Sequence, residues 1–311
     1  RPGTTKPFGQ SGPTTLRPLP SFRPVPVVTL AYVDIQLLTA WRQLFRPVNV
    51  GYEWEVTTGP TREQLTGIES AGSAVVVSGR DGVLLERAGA GEWADLFLEG
   101  ATGDGREVFD AALTDDRRRA WFCGSSGAFG YYDRERGAVE AHGEPYDLTS
   151  DFRSLSIRGP SGSEAVHAVD DDGRILRCTV DGAELTVEGV AVPGGGTAFS
   201  EIVDDGDYRY AADHDGNVFY TEDGVDWRRE SLAETTIEGL ALSEGGLSAV
   251  TDDGAVYRKF SVDRTGGRER FDIDVDSPGD VAAAGGRVGV VGGDGQLVVV
   301  DEDREVAEGS V

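Results

Sequence analysis

The sequence predicts an all-β protein, a six-bladed β-propeller with room for a seventh blade, behind a poorly structured N-terminal arm. Three observations carry that prediction. A turn glycine recurs six times, at Gly82, Gly127, Gly173, Gly216, Gly254 and Gly295, with intervals of 45, 46, 43, 38 and 41 residues. Five of the six turns read Asp-Gly between β-branched or aromatic residues, the strongest short-range hairpin signal, because a type I′ turn needs positive φ at both central positions. No helical period interrupts the repeat. Four short antiparallel strands every 40 or so residues are the pattern of propeller blades.

Within each unit the elements follow in order. The upstream strands read LTGIES (65–70), VFDAAL (108–113), SLSI (154–157), FSEIV (199–203), IEGLAL (237–242) and DVAAA (280–284). Their small residues suit innermost strands crowded about an axis. The second and third strands flank the turn glycine, as in AVVVSGRDGVLLER around Gly82. A more polar fourth strand comes last, led by Trp93 or Trp227 in two units. Ring closure has two candidates, EWEV (53–56) before the first blade and REVA (304–307) after the last.

The domain boundary falls at residue 50. Residues 1–50 hold six basic side chains and one acid, Asp34, and their first 26 residues are rich in Pro, Gly, Thr and Ser. That is a disordered composition. The segment 25–45 is apolar but carries Asp34, Gln36, Arg42 and Gln43, too polar for a bilayer span and open to an amphipathic helix. It lacks the layout of a secretion signal.

The charge excludes some partners. The chain has 55 acidic and 29 basic residues, a net charge of −26, and Lys stands only at 6 and 259. Spread acidity with little Lys suits a cytoplasm at molar salt, where a Debye length of roughly 3 Å mutes self-repulsion. Such a surface repels phosphates, so nucleic acid is not an expected partner. The expectation is a monomeric ring that binds a protein, cytoplasmic rather than secreted, with no membrane span.

Candidate chemistry is sparse. His142, His167 and His214 fall in three different units, against a zinc triad. Cys123 and Cys178 lie in neighbouring units and read as buried free thiols. The clusters DDDG (170–173), DDGD (204–207) and DHDGN (213–217) lack the ligand spacing of a calcium loop. GSSGAFG (124–130) runs into a strand instead of a helix, so it offers no phosphate cradle. The expectation is no catalytic, cofactor or metal residue.

TEDGVDW (221–227) resembles an Asp-box, the Ser/Thr-x-Asp-x-Gly-x-x-Trp element of sialidase-type propellers, one residue short before the glycine. Thr221, Asp223, Gly224 and Trp227 are the matching residues. The resemblance implies a structural role, with Asp223 capping turn amides and Trp227 packing between blades. Residues 51–311, and DDRRRAWFCGSSGAFGYYDRERG (115–137) above all, are similar to propeller proteins of halophilic archaea without an assigned function. More distant likenesses are Asp-box propellers, including sialidases and a photosystem II assembly factor. The sialidase likeness implies an arginine triad, an Asp acid/base and a Tyr–Glu nucleophile pair, but no Arg stands in that family's Phe/Tyr-Arg-Ile-Pro setting. Two functions follow as expectations: a non-enzymatic scaffold for a protein partner, or a hydrolase or lyase acting on a glycan or small molecule at the central depression.

Overall fold

A computed structural model describes residues 61, 63–71, 74–87, 93–243, 246–260, 268–284, 287–292 and 296–300, together with the backbone of strands at 38–39, 43–47, 54–57 and 306–310. The chain divides into Arg1–Leu30 and Ala31–Val311, and all described residues lie in the second unit. Gly295 lies outside the described residues.

Six four-stranded antiparallel sheets follow one another along the chain as blades of a ring. Their innermost strands are Leu65–Ala71, Val108–Leu113, Phe152–Arg158, Phe199–Asp204, Ile237–Ser243 and Asp280–Ala284. Strands two to four then run outward in sequence order, for example Ala165–Asp170, Ile175–Asp181 and Glu184–Ala191 in blade 3. All six upstream segments predicted to be innermost strands are innermost strands. Val306–Ser310 supplies the fourth strand of blade 6. The other candidate for closure, Trp54–Thr57, pairs instead with Gln43–Pro47, which pairs with Leu38–Thr39. That three-stranded sheet stands beside the innermost strand of blade 1.

Second and third strands are buried on both faces. Ala74–Gly79, Arg119–Gly124 and Arg209–Asp213 are buried at every residue. The core is a set of apolar seams between blades, such as Trp121, Phe129, Phe152, Leu155 and Leu176 between blades 2 and 3. Tyr210, Tyr220, Leu240 and Leu247 fill the seam between blades 4 and 5.

The ring has two distinguishable faces. The upper face carries the turns between second and third strands and the connections from one blade to the next. Backbone bonds tie these together: Gly100 N–H to the Gly82 carbonyl, Glu144 to Gly127, Leu232 to Gly216 and Ile273 to Gly254. The lower face carries the other two turns of each blade, as where Gly182 N–H meets the Gly162 carbonyl at 3.0 Å.

The turn glycines sort into two kinds. In blades 1 and 2 both central residues are left-handed, Asp81 with Gly82 and Ser126 with Gly127, as expected of a I′ turn. In blades 3, 4 and 5 only Gly173, Gly216 and Gly254 have positive φ. There the residue ending the second strand caps the turn and draws it into a longer form. Asp170 Oδ1 accepts the N–H of Asp172 and Arg174, Asp213 Oδ1 those of Asp215 and Asn217, and Thr251 Oγ1 that of Ala255.

Gly216 shows why glycine is needed at these turns. Its φ is +76°, and a Cβ there would lie 2.4 Å from the Ala233 carbonyl oxygen. Gly137 has φ +62° with nothing nearer than the Tyr132 hydroxyl at 3.6 Å. Gly216→Ala is therefore expected to destabilise by about 3 kcal/mol, and Gly137→Ala by about 1 kcal/mol. Chemical denaturation of both variants at one salt concentration checks the difference.

Candidate functional site: carboxylates around the axial channel

The innermost strands share an irregularity. In blades 1 to 5 the register against the second strand shifts near the start, between Leu65 and Gly67, Val108 and Asp110, Phe152 and Ser154, Phe199 and Glu201, and Ile237 and Gly239. A bulge of this kind leaves backbone groups outside the ladder, and buried ones need partners. The residues following the bulge are Gly67, Asp110, Ser154, Glu201 and Gly239, and Asp280 begins the equivalent strand of blade 6.

A simple rule satisfies the N–H one residue further on. Where the preceding blade offers a polar side chain, that side chain accepts. Asp110 Oδ2 takes the Leu155 N–H at 3.0 Å, Ser154 Oγ takes Ile202 at 3.3 Å, and Glu201 Oε2 takes Leu240 at 2.9 Å. Where the preceding blade has glycine, the strand uses its own aspartate. Ala111 N–H donates to Asp110 Oδ1 at 2.8 Å, across from Gly67, and Val281 N–H to Asp280 Oδ1 at 2.7 Å, across from Gly239. Ser154 Oγ also donates to Asp110 Oδ2 at 2.8 Å.

These contacts gather carboxylates about the axis. Asp110, Glu201 and Asp280 are joined by Glu69, two residues beyond Gly67 on the same strand face. Burial is the first cause that raises all four pKa values, and the charges on one another follow for Glu69, Glu201 and Asp280. Glu69 is raised to about 7 and Asp280 to about 6, and Glu201 stands well above the usual carboxylate range. Backbone N–H groups pull the other way and lose. Arg153 stands at the bulge of blade 3, over the Phe109 ring at 4.8 Å, and pairs with Asp151 and Asp171. Among the described residues no group of three or more His, Cys, Asp or Glu is arranged to hold a metal ion. The arrangement can share protons between close carboxylates. It shows no nucleophile held by a base.

The residues singled out in the sequence lie elsewhere. In TEDGVDW, Asp223 Oδ1 accepts from the Thr221 hydroxyl and from the Val225 and Asp226 N–H groups. These bonds hold the Asp223 pKa down at about 2. Gly224 N–H donates to Thr221 Oγ1, and Trp227 packs on the Val169, Phe199 and Phe219 cluster between blades 3 and 4. His142 stacks on Trp121, His167 is buried in blade 3, and His214 is exposed on the upper face. Cys123 and Cys178 are buried free thiols, the latter pushed up to about 12 by burial. The acidic runs turn onto their own backbones: Asp205 Oδ1, for instance, accepts from Asp207 and Tyr208. Sequence reading passed over Glu69, Asp110, Glu201 and Asp280. Their signal was an acid within, or for Asp280 at the start of, a strand of otherwise small or apolar residues.

With the ring described, comparison with known proteins adds the fold and little more. No family model matches the chain, and no curated protein matches it. Among solved structures it is similar to that of U3-55K, a WD40 β-propeller, with a TM-score of 0.61 and 12% identity over 80% of this chain and 81% of that one. Matching chains of solved structures number 1559, so the architecture is too common to carry a function. The chain is a β-propeller. No helix among the described residues is long and apolar enough to cross a membrane.

The raised carboxylates set a pH dependence. A carboxyl whose folded pKa exceeds its unfolded value destabilises the fold once ionised, fully so above the folded pKa and not at all below the unfolded one. For Glu69 the window runs from about 4.5 to about 7. Glu69→Gln is expected to stabilise by about 2 kcal/mol at pH 8, discounted for channel water, with the gain fading towards pH 5. Thermal unfolding of both proteins across that range at fixed salt checks the sign.

Proposed function

We propose that this β-propeller is a non-enzymatic scaffold in a high-salt cytoplasm, and that its upper face binds a protein partner. One observation supports the reading most. Four large apolar side chains are exposed among the described residues, and three of them, Leu98, Tyr146 and Val192, lie on three successive blade-to-blade connections. All three connections belong to the upper face. Tyr146 is 66% exposed and is held on left-handed backbone, with Glu144, Tyr146 and Asp147 at φ of 54°, 61° and 58°. Strain of this kind persists where surrounding structure enforces it. Here Glu144 N–H is bonded to the Gly127 carbonyl, and Arg106 reaches both the Ser126 carbonyl and Glu144. A rigidly presented Tyr with Arg beside it is the composition of an interface anchor.

The channel favours the same reading. Asp110 and Glu201 spend acceptor atoms on the backbone of the next blade, which gives these acids a structural role. The Asp-box-like turn is likewise closed on itself, and supports a structural part for Thr221, Asp223, Gly224 and Trp227.

The test is affinity capture of the full chain from a lysate in molar KCl, set beside a Leu98→Ser, Tyr146→Ala, Val192→Ser variant with an unchanged melting temperature. The expected result is one stoichiometric partner, held at least tenfold more weakly by the variant. No stoichiometric partner, or equal retention by both proteins, would overturn the proposal.

A further inference from the structure

The lower half of the seam between blades 3 and 4 departs from its neighbours. At the seam of blades 2 and 3, the row Trp121 and Tyr131 is aromatic, and its one buried guanidinium, Arg119, is matched by Glu164 at 2.8 Å and the Gly182 carbonyl at 2.6 Å. At the seam of blades 4 and 5, Tyr210 and Tyr220 fill the space. Between blades 3 and 4 the corresponding row is Ser156, His167 and Arg177, paired across three adjacent strands.

Its polar atoms are short of partners. The buried Ser156 Oγ makes no hydrogen bond among the described residues, the buried His167 ring has only the Gly224 backbone beside it, and Asp204 Oδ2 and Arg209 Nε serve each other as an ion pair. His167 is only 2% exposed, and its Nε2 lies 2.5 Å from where a Cβ on Gly224 would stand, so only glycine fits that turn position. Asp204 is the one carboxylate paired with the cations of the seam. Its Oδ1 accepts from Arg158 at 3.2 and 2.7 Å, and Arg209 Nε lies 3.0 Å from Oδ2. Arg177 makes no hydrogen bond or ion pair with the described residues. The neighbouring Asp223 is engaged by its own turn.

Three guanidinium groups thus face one carboxylate beside the unpartnered Ser156 hydroxyl and a His167 ring with a nitrogen to spare. Water beside these groups would serve the polar atoms and leave the charge unbalanced. An anion serves both. We infer that this seam is a binding site for a small free oxyanion of the phosphate or sulfate type, held by Arg158, Arg177 and Arg209 with the His167 ring and the Ser156 hydroxyl as further partners. Guanidinium forks match such oxygens in geometry as well as charge. The charges of the three arginines, after burial, also keep the His167 pKa down at about 3, so the ring enters the site neutral, with one N–H to donate.

The inference is independent of the scaffold reading, since it concerns the opposite face. Its test is titration of the full chain with inorganic phosphate at constant ionic strength in KCl, following the ring resonances of His167 by NMR and the melting temperature. The expected result is a saturable shift of the His167 signals, with a rise in melting temperature that levels off. Arg177→Gln, which removes a side chain with no partner in the fold, is expected to weaken the response at least tenfold, the scale of one charge-assisted hydrogen bond. Ser156→Ala serves as a second variant with a smaller loss. Unmoved His167 signals at saturating phosphate would overturn the inference. So would an unsaturated rise in melting temperature shared by wild type and Arg177→Gln, the general effect of an excluded ion.

Discussion

The ring rests on one backbone requirement. The innermost strands of blades 2 to 6 each carry, near their start, an N–H that a side chain serves, at a place where water has little access. In these five blades the acceptor is drawn from the preceding blade or from the strand itself. An orphaned donor in such a place costs about 1–3 kcal/mol, so the composition of these strands follows from it. Acids and Ser stand where small apolar residues would otherwise pack. The electrostatic strain of Asp110, Glu201 and Asp280 is a result of that choice, and Glu69 shares it through burial and the charge of Asp110.

The blades' mutual packing shows the same economy of means. Strands buried on both faces hold Val, Leu, Phe and Trp, and among the described residues most of the core lies in the seams between blades. The upper face is then free to carry exposed Leu98, Tyr146 and Val192, with backbone bonds to the Gly82 and Gly127 turns fixing the loops that bear the first two. Rigidity below and exposed apolar groups above are what a docking surface needs.

Much of the fold was legible in the sequence because the turns are local. A glycine that must be left-handed marks its own position, and the six-fold spacing followed from those marks. The six innermost strands could be placed from the small residues before each turn. Ring closure was not legible, since the strands at 54–57 and 306–310 carry similar patterns and only pairing separates them. The turn form in blades 3 to 5 was missed because Asp170, Asp213 and Thr251 act from the strand end, outside the dipeptide that was read. The channel acids and the Arg158, Arg177, Arg209 group stayed hidden for a different reason. Each member comes from a separate strand, and some from separate blades, so no spacing along the chain reveals them.

The two glycines at Gly67 and Gly239 carry a mechanical meaning. Side-chain acceptors cross from blade 2 to 3, from 3 to 4 and from 4 to 5, but none crosses from these glycines to blades 2 and 6. Blades 2 to 5 form a continuous stapled arc. Blade 1 joins it by other means, with Thr66 Oγ1 and Ser78 Oγ donating to the Val108 and Phe109 carbonyls and Arg134 pairing with Glu86, so that among the described residues the joint of blades 5 and 6 is the one held by seam packing. The nominal symmetry of six is therefore broken in how the ring yields. Partial opening would begin at the joint of blades 5 and 6 and leave the stapled blades behind, a cooperative unit larger than a blade and smaller than the molecule.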